Sequence, residues 1–362
     1  MAENRVFNFA AGPSTMPLEV LRQAQSEMLN YRGSGMSVME MSHRSKTFLS
    51  IHEEAKDTLR RLLRVPENFE ILFLQGGATL QFAMAPMNFL YRSGKADYCI
   101  TGSFASKAAD EAKKYGEIHI AASSKAKNHT FIPKQSELQL SEDASYLYYC
   151  ANNTIYGTEW QYTPAAPEGV PLVADMSSDI LTRYIEWEKY ALVFAGGQKN
   201  MAPAGITIVF VNRDYVGHAL PITPIMLDYA AMIKGDSMHN TPPCWCIYML
   251  GLIMKWVEGV GGIPAMEERK KARAGLLYDV LDHSSLFRGC AEKDSRSFMN
   301  VTFVTGDAEL DQRFIAGAKE RGIENIGGHR SVGGMRASIY NAMPIEGVQA
   351  LADYMTEFEK NG

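Results

Sequence analysis

The strongest constraint on the fold is a series of short runs rich in β-branched and aromatic residues, at 71–74, 98–101, 146–150, 172–174, 192–194 and 206–211. Most are separated by stretches with helical patterning or by loops, the arrangement of an α/β domain around a mostly parallel sheet flanked by helices. This large unit is expected to span residues 16–260. Around Gly259, Gly261, Gly262 and Pro264 the pattern breaks, and residues 265–281 read as a charged helix entering a second unit. That smaller α/β unit is expected to comprise residues 261–362 together with 1–15.

Composition narrows the function. The formal net charge is −5, so no general attraction to nucleic acid or an anionic membrane is expected and any anion site must be local. The cysteines, at 99, 150, 244, 246 and 290, show neither zinc-site spacing nor the paired framework of a secreted domain. Residues 1–9 carry Glu3, Asn4 and Arg5 with no long apolar stretch behind them, and the apolar segment 244–257 is too short for a bilayer and contains Lys255. A cytoplasmic protein without a metal is expected. Walker A, GxGxxG, HExxH and nucleophile-elbow patterns are absent, so nucleotide, zinc-protease and serine-hydrolase chemistries lack their parts.

In open α/β sheets ligands bind beyond the carboxyl ends of the strands, so the residues following each run carry the functional information. After 71–74 comes Gln75-Gly76-Gly77-Ala78-Thr79, a turn into a helix that offers backbone N–H groups to a phosphate. Two glycines in such a place most often make only a tight turn. The next runs are followed by Gly102-Ser103-Phe104, Asn152-Asn153-Thr154 and Asp175-Met176-Ser177-Ser178. Taken singly, these read as a core aromatic, a turn threonine and a helix-capping aspartate. Together they place a ring, a hydroxyl and a carboxylate at one rim of one sheet.

The decisive segment is 191–200, ALVFAGGQKN, which delivers Lys199 from a buried-looking strand into a bed of small residues. Most lysines are solvated, but a lysine in such surroundings can lose its proton and attack a carbonyl to form a Schiff base. Lysine, carboxylate, flat side chain and phosphate turn make up the parts list for pyridoxal phosphate. Asp175 would pair with the pyridinium nitrogen, Phe104 would face the ring, Thr154 would reach a ring substituent, and Ala78 with Thr79 would hold the phosphate. Lys199 would hold the aldehyde and then move the proton. A non-catalytic phosphate-binding module would need neither Lys199 nor Asp175.

The segments FNFAAGP (7–13), GMSVMEMSHRSKTF (35–48), FLQGGATLQF (73–82), ADMSSDI (174–180), AGGQKNMAPAGITIV (195–209), NTPPCW (240–245) and GHRSVGGMRASIYNAMP (328–344) resemble the phosphoserine aminotransferases nearly end to end. These belong to the fold-type I, class V pyridoxal-phosphate enzymes. The resemblance implies amino transfer between O-phospho-L-serine with 2-oxoglutarate and 3-phosphohydroxypyruvate with L-glutamate, in serine biosynthesis. It brings a second candidate substrate, the 4-phosphohydroxy-L-threonine of pyridoxine synthesis. It adds Gln198 to the cofactor set and implies a homodimer in which Asn240 and Thr241 reach the other subunit's cofactor phosphate. From the chain alone, residues 240–243 read only as a helix cap with proline in the first turn. The resemblance also assigns Arg336 to the substrate α-carboxylate, and His43, Arg44, His329 and Arg330 to the distal anion.

Four positions depart from the family pattern: Phe104 stands where tryptophan is common, Thr79 where some members have arginine, and Ala10-Ala11 where some have serines. The same-fold alternative, a cysteine desulfurase, needs a nucleophilic cysteine on a mobile loop, and only Cys290 lies late in the chain.

Overall fold

A computed structural model describes residues 5–361. Its centre is a seven-stranded sheet of β1 (Phe69–Leu74), β2 (Lys95–Ile100), β3 (Glu117–Ser123), β4 (Leu147–Cys150), β5 (Leu172–Asp175), β6 (Tyr190–Gly196) and β7 (Thr207–Asn212). The spatial order is β1-β7-β6-β5-β4-β2-β3. β7 runs antiparallel to both of its neighbours, and the remaining pairs are parallel.

The apolar runs are buried on both faces, which explains why they read as runs and not as alternations. Ile71, Phe73, Val193 and Ala195 point into a core shared with α2 (Lys46–Leu63) and the apolar helix α5 (Cys244–Gly259). Their neighbours Leu72, Leu74, Leu192 and Phe194 point the other way, toward α3 (Gly77–Phe89) and α4 (Ser103–Ala112). The result is a sheet between two helical layers.

Two features differ from the sequence reading. β3 was not expected: only Ala121 of its seven residues is buried, so an edge strand with one covered position carries no apolar run. α5 begins at Cys244 with Pro243 at the N-cap position and no side chain bonded to its first turn. The prolines therefore precede the helix, and Asn240 and Thr241 do not cap it; they are engaged instead with Gln75, through Asn240 Nδ2 to Gln75 Oε1 (3.4 Å) and Gln75 Nε2 to the Thr241 carbonyl (3.2 Å).

α6 (Gly262–His283) follows α5 almost immediately at a bend of 82°. It packs on a three-stranded antiparallel sheet of β8 (Arg288–Gly289), β9 (Asn300–Val304) and β10 (Met335–Ser338). A third core forms there around Phe287, Phe303, Phe314 and Tyr354, and it takes in Phe9. Phe7–Asn8 pairs in parallel with Ile323–Glu324, which ties the start of the described chain to this region. No single helix among the described residues is long and apolar enough to cross a membrane.

Candidate active site

A cavity of about 190 Å³ opens beyond the carboxyl ends of β1, β4, β5 and β6. Its first wall is the start of α3. Gly76 and Gly77 take φ of +89° and +68°, and a Cβ on Gly76 would stand 2.4 Å from the Leu80 side chain, so glycine is required for so tight an entry. No side chain caps the helix. The leading N–H groups of a 13-residue helix therefore face the cavity at Gly77, Ala78 and Thr79, with the helix dipole behind them.

Lys199 lies in the connection between the antiparallel pair β6 and β7. That connection is pinched shut by the hydrogen bond from Gly197 N to the Ile206 carbonyl (2.9 Å). A Cβ on Gly197 would come within 2.7 Å of Ile206, so only glycine permits the approach. Lys199 Nζ donates to Thr154 Oγ1 at 2.9 Å and stands 5.7 Å from the Phe104 ring centroid. The backbone of this connection is held from the N-terminal segment, where Ser14 N donates to the Gln198 carbonyl (3.0 Å) and Ser14 Oγ to that of Lys199 (2.5 Å).

Asp175 ends β5, 4% exposed, with Oδ1 accepting from Ser177 N at 2.9 Å. Among the described residues it has no ion-pair partner. Burial pushes its carboxyl above the ordinary carboxylate value, opposed by the hydrogen bonds from Ser177 and by the Lys199 ammonium. A buried carboxylate that faces a cavity without a bonded cation suits a cationic ligand group there. With the unclaimed helix N-terminus and the Phe104 face, the donor set suits a phosphate, a flat ring and a protonated ring nitrogen in one molecule.

A buried polar network missed by the sequence reading supports this floor. Asn152 Nδ2 donates to Ser178 Oγ (2.8 Å) and to Asn300 Oδ1 (2.7 Å), while Asn300 Nδ2 donates to Ser338 Oγ (3.0 Å) and Tyr340 Oη (3.2 Å). Tyr340 Oη in turn donates to the Ala11 carbonyl (2.9 Å). Asn200 accepts from Asn341 N and donates to the Ile180 carbonyl, both at 2.9 Å. Only the place of Asn152 two residues beyond the end of β4 could have drawn notice.

The expected residues fall into two sets. Ala78, Thr79, Phe104, Thr154, Asp175, Gln198 and Lys199 all line the cavity. Asn240, Thr241, His43, Arg44, His329, Arg330 and Arg336 do not. His43 is buried and Arg44 exposed on the loop before α2. Arg336 sits on β10, and its buried Nε meets no acceptor. His329 Nδ1 lies 2.7 Å from Ser331 Oγ; burial and then the charges of Arg336, Arg330 and Lys107 lower its proton affinity. Cys290 is partly buried and burial pushes its thiol up, the reverse of what a desulfurase nucleophile needs.

Residues 6–351 match the family model of class-V aminotransferases. The phosphoserine aminotransferase of Geobacillus kaustophilus is 50% identical over 357 residues, covering 98% of this chain and 99% of that one. A solved phosphoserine aminotransferase structure, from work on radiation damage of its Schiff base, superposes with a TM-score of 0.97 at 48% identity, covering 99% of both chains. The phosphoserine aminotransferase of Trichomonas vaginalis, solved with PLP bound, gives a TM-score of 0.93 at 41% identity, covering 97% of this chain and 100% of that one.

Proposed function

Because the chain belongs to the class-V aminotransferase family, we propose that it moves an amino group between O-phospho-L-serine and 2-oxoglutarate, giving 3-phosphohydroxypyruvate and L-glutamate, and the reverse, for serine biosynthesis. Its cofactor is pyridoxal 5′-phosphate. When bound, this group supplies an aldehyde for amines and a conjugated ring that takes up the electron pair left when the substrate Cα–H bond breaks.

The observation that carries the reading is the pairing, in one cavity, of a buried Asp175 carboxylate without a bonded cation and the Lys199 ammonium, beside an uncapped helix N-terminus. Asp175 would keep the ring nitrogen protonated. The N–H groups of Ala78 and Thr79 would take the phosphate, and Phe104 and Gln198 would bound the ring. Thr154 holds Lys199 Nζ by one hydrogen bond, which aims the amine to carry a proton to and from the substrate Cα. Arg336, whose buried Nε is unclaimed, would take the α-carboxylate through a bidentate contact.

The remaining assignments need a second subunit. In a homodimer, Asn240 and Thr241 would reach the neighbouring cofactor phosphate, and His43 and Arg44 would join His329 and Arg330 around the distal anion. A cytoplasmic location and the division into residues 16–260 against 1–15 with 261–362 complete the proposal.

The test is to incubate the purified, cofactor-loaded protein with O-phospho-L-serine and 2-oxoglutarate and measure glutamate formation. Turnover with phosphoserine well above that with alanine is expected. Equal turnover of the two would remove the phosphoserine assignment while keeping the transaminase.

A further inference from the structure

Nothing in the sequence around Lys107 marks it for a function, and the fold sets it against a residue of the site. It lies one turn after Phe104 on α4, exposed, with Nζ 5.6 Å from the Phe104 ring centroid. The same ring thus carries Lys199 at 5.7 Å and Lys107 at 5.6 Å. Among the described residues, Lys107, Arg330 and Arg336 have no carboxylate partner within ion-pair distance. These cations come from two separate parts of the chain, α4 and residues 329–336, and after burial their charges all act to lower the proton affinity of His329. Like charges gathered without counterions raise the free energy of the empty protein, and an anion relieves it.

The chemistry of the anion narrows the role. A phosphate monoester carries close to two charges at neutral pH, whereas the γ-carboxylate of glutamate carries one. Burial and the neighbouring cations disfavour the protonated form of His329 in the free protein. The positive charge that would meet a dianion there is carried by the cationic side chains around His329, Arg330 and Lys107 among them.

We propose that Lys107 is a specificity-determining residue: its ammonium, over the ring of the cavity-lining Phe104, binds the distal phosphate of the substrate and sets the preference for phosphate over carboxylate. The inference rests on the phosphoserine reading above. The bland alternative is a solvated lysine whose stem packs on Phe104, and the two differ in what the charge alone does.

The experiment uses the cofactor-loaded enzyme with Lys107→Met, which keeps an unbranched apolar stem against Phe104, and with Lys107→Arg. In Lys107→Met, kcat/KM for phosphoserine should fall roughly tenfold, the lower end for a charge-assisted contact because the residue is exposed. The fall should lie in KM, with kcat nearly unchanged. Glutamate should lose about threefold or less, alanine nothing, and Lys107→Arg should recover most of the loss. Calorimetry with inorganic phosphate should show a similar weakening of Kd in Lys107→Met. Equal losses for all three substrates would mean that Lys107 only supports Phe104, and an unchanged phosphoserine KM would remove the proposal. If the unaltered enzyme fails to act on phosphoserine, the functional reading falls by itself, and the phosphate titration still decides whether Lys107 binds the anion.

Discussion

Replacing Asp175 by asparagine should have two effects of opposite sign, because the carboxylate's charge costs the empty protein and serves the loaded one. The side chain is 4% exposed, and its carboxyl is pushed above the ordinary value by burial, against the opposing pull of Ser177 and Lys199. An acid whose folded-state pKa is raised binds more protons when native than when unfolded, so apoprotein stability falls as pH rises from the unfolded value of 3.8 through the folded one. Above that window the cost is fully present. Asparagine retains an oxygen for the hydrogen bond from Ser177 N (2.9 Å) and carries no charge, so the cofactor-free variant should melt higher than the parent at pH 8. Near pH 4 the gain should vanish. For the loaded enzyme, the variant would lack the carboxylate proposed to keep the ring nitrogen cationic while charge builds in the transition state. Losing one such preorganised electrostatic contact lowers kcat by about 10²–10³. Scanning calorimetry of the apoprotein at the two pH values, with single-turnover rates on the loaded protein, measures both effects. The reasoning is refuted by a lower melting temperature at pH 8, or by full turnover in a cofactor-loaded Asp175→Asn protein.

Lys199→Ala should abolish turnover with the fold intact by circular dichroism, and borohydride should fix the cofactor of the parent protein onto the Lys199 peptide alone; labelling of another lysine contradicts the assignment. Mixing inactive Lys199→Ala subunits with inactive Asn240→Ala, Thr241→Ala subunits should restore part of the activity if sites are shared across a dimer, whereas a dilute monomer that stays active would remove that premise. Arg44→Ala should cost phosphoserine and glutamate roughly ten- to a hundredfold in kcat/KM, the worth of about 1.5–3 kcal/mol for a charge-assisted contact, and leave alanine little changed. Arg336→Ala should weaken all three substrates, and an equal loss for all three in Arg44→Ala would mark that residue as structural.

What was legible in the sequence had a local signature. A strand buried on both faces writes itself as an apolar run, and the first polar residues after each run, Thr154 and Asp175 among them, stand at the carboxyl end by construction. Lys199 was legible because glycines on its approach serve no solubilising purpose. The direction of β7 was not, since a strand buried on both faces reads alike whether it runs parallel or antiparallel. Yet that direction places Lys199 in a closed connection between neighbouring strands and not at the start of a crossover helix.

The Asn152–Asn300–Tyr340 network was invisible for another reason. Its members lie up to 148 and 40 positions apart in the two links, and each alone is an ordinary polar residue whose burial only the assembled fold reveals. Lys107 shows the same limit more sharply. A lysine three residues after an aromatic on a helix is usually a solvated group, and nothing near it in the sequence refers to His329, more than two hundred positions away. It acquires a functional reading only when the fold lets its charge act on His329 together with those of Arg330 and Arg336, none of which has a carboxylate partner among the described residues. A charge that the fold leaves uncompensated is information about a ligand, and that information lies in the distances between elements, beyond the reach of any single motif.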